Sequence, residues 1–179
     1  MVSKKNMPWL SPVLIDTKGR NFFYQLYVVL FNVRNWRVEK DWYVQLPNGT
    51  LVVIPEGFIF DGASTPKLFW ALMAPTGSLL LPGLVHDFGY RYSYLWAVCK
   101  QTGVPFKYGH FRGQKYFDKI FRDVSLSVSG LKFVSVFSYL TLRLFGFLAW
   151  RSNRKLGAQE ISPAAHAGGL GQRVDFECN

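Results

Sequence analysis

The feature that most constrains the fold is a change of hydrophobic pattern near residue 60. Before it, the β-branched and aromatic runs DWYVQL and TLVVIP flank the sequence PNG. The pair Asn48-Gly49 is typical of a tight two-residue hairpin turn. After residue 60, apolar residues recur at helical spacing. This order predicts an α+β fold, with a small N-terminal antiparallel sheet followed by three to four packed helices.

Three or four antiparallel strands are expected between residues 21 and 60. The run NFFYQLYVVLFNV is predicted to supply one of them, because aromatic and β-branched side chains suit a pleated sheet. EGFIFDGAS continues the sheet and leaves it at Asp61-Gly62. A short helix, TPKLFWALM, is then expected, with Ser64 as its cap and Pro66 near its first turn.

Longer helices are predicted in the C-terminal part. Pro82 is expected to open one that carries LVHDFGYRYSYLWAV, and a polar loop with glycine follows at residues 100–112. GQKYFDKIFRDVSLSV forms the next helix. Gly130 breaks the pattern, and LKFVSVFSYLTLRLFGFLAW forms a further helix.

The predicted organisation has three parts: an N-terminal arm at residues 1–20, a single α+β domain at 21–151 and a flexible tail at 152–179. The tail is rich in Gly, Ala and Ser and offers few apolar anchors. The first 20 residues contain no long apolar core, so no signal peptide is predicted. The two cysteines, Cys99 and Cys178, do not form a disulfide framework, and a reducing compartment is the default.

The net charge is +10 and aromatic residues make up 17% of the chain. This composition suits anionic partners, namely nucleic acid, a membrane surface or an acidic protein, although simple solubility explains the charge equally well. The 21 Lys and Arg residues form no basic block. Nucleic acid is therefore not favoured, and contact with a membrane surface stays open.

Residues 124–150 are long enough to span a bilayer, but Lys132 and Arg143 interrupt them. Eleven residues make almost three helical turns, so the two charges share one face of an amphipathic helix with a wide apolar side. Packing against the sheet or another helix is favoured over a transmembrane span. A position in the membrane interface is the third alternative.

The sequence GLVHDFGYRY places a histidine beside an aspartate on a predicted helix. His86 and Tyr90 are four residues apart and share a face, while Asp87 is turned about 100° away. Asp118, in an apolar context on the next long helix, is the best candidate to hold one imidazole nitrogen of His86. Such a pair can act as a general base. The alternative, more usual for a His-Asp pair in a helix, is that the polar groups brace the core.

A cation site made of carboxylates alone would have to use Asp61, Asp87 and Asp118, and the pattern specifies no particular metal. Asp61 lies in FDGAST, where a strand is expected to end. One interpretation is a turn that caps a helix. The other places Asp61 in one wall of a cleft that faces the His86 helix.

Four sequence blocks occur in order along the chain: IPEGFIFDGASTPKLFWALMAP, VHDFGYRY, FDKIFRDV and LRLFGFLAW. Together they resemble the domain-of-unknown-function family 1353, over roughly residues 20 to 150. That family is found mainly in tailed phages and prophages. The resemblance implies a phage-encoded protein of the virion or the infected bacterial cell, with other phage proteins or host factors as partners. It supplies no activity.

The His86 and Asp118 helices are more loosely similar to those of secreted phospholipases A2. That similarity implies that His86 activates water, that Asp118 orients His86, and that Tyr90 belongs to the same site. It also implies calcium at Asp87, with DGAS, which begins at Asp61, in place of the family's calcium loop. The phospholipase disulfides and the Gly-rich calcium loop are absent from this chain.

Three functions are therefore expected, in this order. The first is a virion-associated structural or interaction protein of a phage. The second is a phospholipase A2-like or other hydrolase that uses a His86–Asp118 dyad, and the third is an inhibitor of a host factor. The exposure of His86 to solvent distinguishes the two roles: an exposed imidazole favours the enzyme, and a buried one favours a purely structural pair.

Overall fold

The computed structural model describes residues 7–15, 18–31, 35–60, 79–157 and 159–164. Within these ranges the chain forms seven strands and four helices. In chain order they are β1 (Leu10–Pro12), α1 (Phe22–Phe31), β2 (Trp36–Val38), β3 (Trp42–Gln45), β4 (Leu51–Ile54), β5 (Ile59–Phe60), α2 (Leu80–Tyr92), β6 (Leu95–Val98), β7 (Pro105–Tyr108), α3 (Gln114–Ser129) and α4 (Lys132–Leu156). The predicted α+β class, with an N-terminal sheet followed by helices, is confirmed.

The strands form two antiparallel sheets. One has the order β1-β2-β5 and the other the order β3-β4-β6-β7. The predicted N-terminal arm thus contributes a strand, since Leu10 of β1 pairs with Val38 of β2. Along β3, buried and exposed residues alternate from Trp42 to Gln45, as they must in a strand with one face on the core.

The hairpin between β3 and β4 turns at the predicted Asn48-Gly49 pair. The Gly49 N–H donates to Leu46 O, and the Leu46 N–H donates to Thr50 O, both at 2.8 Å. The loop therefore has three residues, one more than expected. Gly49 has a φ of +86°, the left-handed conformation that closes such a loop after a type I turn. Pro47 suits the first central position of that turn, which explains the longer loop.

Residues 22–31 were expected to form a strand, and this prediction is wrong because they form helix α1. The Asn21 side-chain oxygen accepts a hydrogen bond from the Tyr24 N–H at 2.9 Å. That bond satisfies one of the free donors at the start of the helix. Strand propensity depends on packing against neighbouring strands, so a local cap can override it.

The helix predicted over LVHDFGYRYSYLWAV ends earlier than expected. Ser93 adopts a left-handed conformation with φ +65° and donates its N–H to Gly89 O, which closes α2 at Tyr92. The next residues form β6, and the predicted loop at 100–112 contains β7, paired with β6. This apolar run is a strand because it pairs with β4. Hydrophobic periodicity alone does not distinguish a short buried strand from a segment of buried helix.

Helix α2 is central to the domain. One side contacts the sheets, where the Phe88 ring packs edge-on against Phe58 at 5.0 Å between centroids. The other side packs against α3 and α4. Gly89 permits the approach of α3, because a Cβ atom there would overlap the Phe117 ring. The fold thereby brings the two helices with the candidate dyad face to face.

Helix α3 ends at Gly130, with φ +68°, as the sequence predicted. Helix α4 then folds back along α3, and Ser135 Oγ lies 2.7 Å from Ser125 Oγ. The predicted packing of this segment on another helix is confirmed. The packed face is the opposite of the one expected, because α4 buries Ser135, Ser138 and Thr141 and leaves large apolar side chains exposed.

Within the described residues, Lys132–Asn153 is the one helical stretch long and apolar enough to cross a membrane. Only 22% of its apolar window is buried in the domain. The expectation against a transmembrane span stays a prediction.

The predicted tail does not begin at Ser152, since α4 continues to Leu156. Residues 159–164 then contact the domain. The Trp96 indole N–H donates to Ile161 O at 2.9 Å, and the Ala164 N–H donates to Asp41 Oδ2 at 2.8 Å. The prediction that residues 153–179 are not packed into the domain core stays a prediction, because residues 159–164 are mostly exposed and 165–179 lie outside the described ranges.

Cys99, which directly follows β6, is disulfide-bonded. A bonded Cys99 is not what the default of a reducing compartment predicts. The chain's other cysteine, Cys178, lies outside the described residues.

Candidate functional site

Asp118 lies at the centre of a buried polar cluster where α2, α3 and α4 meet, and its exposed fraction is 0%. Its Oδ1 accepts hydrogen bonds from His86 Nε2 at 3.1 Å and from the Tyr90 hydroxyl at 2.5 Å. Its Oδ2 accepts from Arg143 Nη1 at 2.9 Å and from Gln114 Nε2 at 3.4 Å. The predicted bond between His86 and Asp118 is confirmed. We call these five residues the Asp118 cluster.

His86 is enclosed on every side and is only 4% exposed. Its Nε2 faces Asp118, and its Nδ1 lies 3.5 Å from Asp87 Oδ1. The rings of Tyr90 and Phe121 pack on the imidazole at 3.9 and 5.5 Å between centroids. Each nitrogen thus has a carboxylate to donate to, which is the environment of a protonated imidazolium. Asp87, predicted to face elsewhere, turns back to the ring.

The surroundings move the pKa values of the central pair in opposite directions. Burial lowers the pKa of His86, but hydrogen bonds to Asp118 and Asp87 outweigh burial and raise the pKa above its usual 6.5. Burial raises the pKa of Asp118, but hydrogen bonds, that from His86 first, outweigh burial and lower it. Both effects favour the charged forms, so we expect an ion pair at neutral pH.

Arg143 supplies a second positive charge from α4, with a side chain that is 34% exposed. The cluster and its neighbour Asp87 then hold two cations and two carboxylates, which balances the buried charge. Gly146, three residues further on, leaves room for the Tyr90 hydroxyl, which would lie 2.5 Å from a Cβ atom at that position. Burial raises the pKa of Tyr90, so its hydroxyl remains a donor.

Sequence reasoning missed Arg143 and Gln114 as partners of Asp118. Arg143 was recognised only as a charge that interrupts an apolar helix. An arginine in such a helix is itself a signal, because charged side chains are rarely buried without a partner. Gln114, at the start of α3, carries no comparable signal.

The arrangement limits what His86 can do chemically. A general base needs an unprotonated nitrogen within reach of the proton that it removes. Carboxylates face both nitrogens of His86, and the ring is buried. An open cavity nearby does not reach the imidazole. Its lining residues are Tyr92, Ser93, His110, Phe111, Gly113 and Trp150.

The predicted metal role of Asp61 and Asp87 stays a prediction. Asp61 and the predicted helix TPKLFWALM lie outside the described residues. Asp87, whose side chain is 26% exposed, contacts the imidazole of His86. Among the residues that the structure describes, no group of three or more His, Cys, Asp or Glu side chains is placed to hold a metal ion.

A family model described as "Protein of unknown function (DUF1353)" matches residues 36–141. The match covers more than half of the 179 residues and includes His86, Tyr90 and Asp118. No curated protein and no solved structure is similar enough to match the chain.

Proposed function

The chain belongs to the DUF1353 family of proteins of unknown function, and from this premise we propose that it is a phage-encoded structural or interaction protein associated with the virion. The observation that carries the proposal is the enclosure of His86. The imidazole is 4% exposed and has a carboxylate at each nitrogen. It offers neither a free nitrogen nor access for a substrate. The phage assignment is supported by the family resemblance.

In this proposal the Asp118 cluster braces three helices. His86 and Tyr90 reach the carboxylate from α2, Gln114 from α3 and Arg143 from α4. Burying charges carries a large desolvation penalty, so such a network adds little net stability. It does select one packing, because a shifted helix would leave Asp118 buried without its partners.

A structural or interaction protein must present a surface to its partners. Several large apolar side chains outside α4 are more than 60% exposed, among them Trp9, Phe22, Phe23 and Phe111. Exposed apolar side chains that lie together mark interaction sites, and the Phe22 and Phe23 rings lie 6.0 Å apart between centroids. Such exposed aromatic side chains suit contact with a partner protein.

A turnover assay tests the non-enzymatic part of the proposal. Purified full-length protein is assayed on phospholipid vesicles and simple esters, with calcium and with a chelator, beside His86→Ala. We expect wild type to show no more turnover than the variant. Turnover that requires both His86 and calcium would establish the phospholipase-like alternative. His86→Gln, which removes the imidazole but keeps a polar side chain in the cluster, replaces His86→Ala as the inactive control should circular dichroism show the alanine variant unfolded.

Quantitative mass spectrometry of purified phage particles tests the virion association. We expect the protein at a fixed ratio to the main structural proteins of the particle. If it is present only in infected cells, the virion assignment fails and the inhibitor of a host factor becomes the better hypothesis.

A further inference from the structure

Helix α4 buries the opposite kind of residue from an ordinary helix at the surface of a soluble domain. Its buried positions are small or polar: Ser135, Ser138, Thr141 and Gly146. A helix in water normally buries its large apolar residues and exposes its polar ones. In lipid the arrangement seen here is usual, because small residues and Ser or Thr form helix–helix contacts while large apolar side chains face the acyl chains.

The exposed face of α4 carries a continuous apolar stripe, which we define as Phe133, Val136, Leu140, Leu144 and Leu148. Their spacing of three or four residues places them on one face of the helix. They are 45–74% exposed, and the stripe is about 22 Å long at 1.5 Å per residue. No charged residue interrupts it between Phe133 and Leu148, because Arg143 lies to the side and bonds to Asp118.

The charges along α4 are all positive. The helix contains no Asp or Glu, and its basic residues are Lys132, Arg143, Arg151, Arg154 and Lys155. Lys132 precedes the stripe and Arg151 follows it. The guanidinium of Arg151 lies 5.7 Å from the Phe147 ring centroid. An apolar face with basic residues at its ends, on a chain of net charge +10, matches an anionic lipid surface.

The same charges argue against a second copy of the chain as the occupant of the stripe. In a symmetric antiparallel contact, Lys132 of one copy would approach Arg151 of the other. Like charges placed together across an interface oppose association. Anionic lipid headgroups would instead neutralise both ends of the stripe.

The packing of α4 decides its orientation in the membrane. It lies along α3, whose outward side carries the exposed Lys115 and Lys119. If α4 crossed the bilayer, these side chains would enter the hydrocarbon region, where each charge is costly. A helix that lies in the plane of the interface leaves α3 on the aqueous side.

We infer that α4 docks its apolar stripe into the surface of an anionic lipid membrane, with the helix axis parallel to that surface. The inference does not rest on the proposed function, because it uses the outer face of α4 and not the Asp118 cluster.

Vesicle co-sedimentation of the full-length protein tests this inference. Wild type is mixed with phosphatidylcholine vesicles that contain or lack phosphatidylglycerol. It is compared with the double variant Val136→Glu/Leu144→Glu, and with the matched control Leu14→Glu/Val104→Glu. The control makes the same substitutions, with the same change of net charge, at loop residues outside α4 that are 91% and 55% exposed.

We expect wild type to bind the anionic vesicles and to bind the neutral ones far more weakly. The α4 variant should lose at least about tenfold in binding, since two apolar side chains no longer enter the membrane, and the control should stay close to wild type. Equal losses in both variants, or a wild type that stays in solution with anionic vesicles, would overturn the inference. Sedimentation velocity gives a further test. If wild type is a dimer, the α4 variant is a monomer and neither binds lipid, then a second copy of the chain covers the stripe and the inference is also overturned.

Discussion

Asp118 illustrates how a fully buried carboxylate is tolerated. Four donors from three helices surround its two oxygens. A carboxylate has about four lone-pair positions, so its acceptor capacity is filled. Asp123, five residues later on the same helix, has a side chain that is 45% exposed and pairs with the neighbouring Arg122. The two aspartates therefore contribute differently to stability, although they share a residue type and a helix.

Asp118→Asn should lower the free energy of unfolding by roughly 3 kcal/mol, because the amide cannot accept all four bonds and leaves the buried imidazolium of His86 and the guanidinium of Arg143 without this carboxylate. Chemical denaturation measures the change. Asp123→Asn is the matched control and should lie within about 1 kcal/mol of wild type, as exposed pairs contribute little. Similar losses of stability from the two substitutions would contradict the structural role proposed for the Asp118 cluster.

The raised pKa of His86 determines how stability depends on pH. When the pKa of a group is higher in the folded than in the unfolded protein, protonation of that group stabilises the fold. For His86 this contribution is complete below the unfolded pKa, near 6.5, and is lost as pH rises through the folded pKa. The free energy of unfolding should therefore decrease as pH rises above 6.5, and His86→Gln should flatten this decrease. Denaturant unfolding at a series of pH values measures both slopes. If the unfolding free energies of wild type and His86→Gln change equally with pH above 6.5, the imidazole of the folded protein is neutral in that range.

Asp118 contributes in the opposite direction. Its lowered pKa makes its contribution complete above the unfolded value of 3.8 and lost as pH falls through the folded value. In the same series of unfolding measurements, the free energy of unfolding should fall in acid. Asp118→Asn should make this fall smaller.

At the scale of single elements, two glycines of α2 face different surroundings. A Cβ atom at Gly89 would overlap the Phe117 ring of α3, whereas one at Gly83 would meet nothing within 4 Å. Gly89 is therefore required for the close approach of α2 and α3, and Gly83 is not. The distance between the helices in turn sets the bond between His86 and Asp118.

Gly83→Ala should stabilise the protein by about 0.5–1 kcal/mol, because alanine loses less backbone freedom in a helix. Gly89→Ala should destabilise it by roughly 1–3 kcal/mol, since the added methyl group must displace the Phe117 ring. Thermal and chemical unfolding of the two variants provide the comparison. A stabilising effect at both positions would show that α2 and α3 are not closely packed at Gly89.

At the scale of the whole molecule, residues 159–164 connect the segment after α4 to the four-stranded sheet. Glu160 accepts a hydrogen bond from the Tyr94 hydroxyl at 2.8 Å and pairs with Lys107 at 2.9 Å. Ile161 and Ala164 add the bonds to Trp96 and Asp41. This segment joins parts of the sheet that are distant in sequence.

A protein truncated after Gly157 should be less stable than one truncated after Ala164, by roughly 1–3 kcal/mol, since each hydrogen bond contributes on the order of 1 kcal/mol. Both proteins lack residues 165–179, so the difference in their unfolding free energies reports on residues 158–164 alone. Equal stability would mean that these contacts are incidental and that the domain ends with α4.

The amino-acid sequence by itself determined the features that depend on local chemistry. Asn48-Gly49 located a turn because glycine adopts the left-handed conformation that the loop requires. Gly130 located a helix end for the same reason. The pairing of His86 with Asp118 was predictable because polar residues in apolar helical contexts need partners inside the core. The α+β order followed from the change in hydrophobic period.

Only the tertiary structure decided the features that depend on neighbours. The apolar run at Leu95–Val98 became a strand because β4 offers it an edge. His86 was enclosed because the Tyr90 and Phe121 rings pack on the imidazole and Asp118 faces its Nε2. The face of α4 that packs was decided by Ser125 and Tyr90 on the adjoining helices, which lie against the small residues Ser135 and Gly146 of α4. Periodicity shows that a helix has two different faces. Which face is buried depends on the shape and polarity of what it meets.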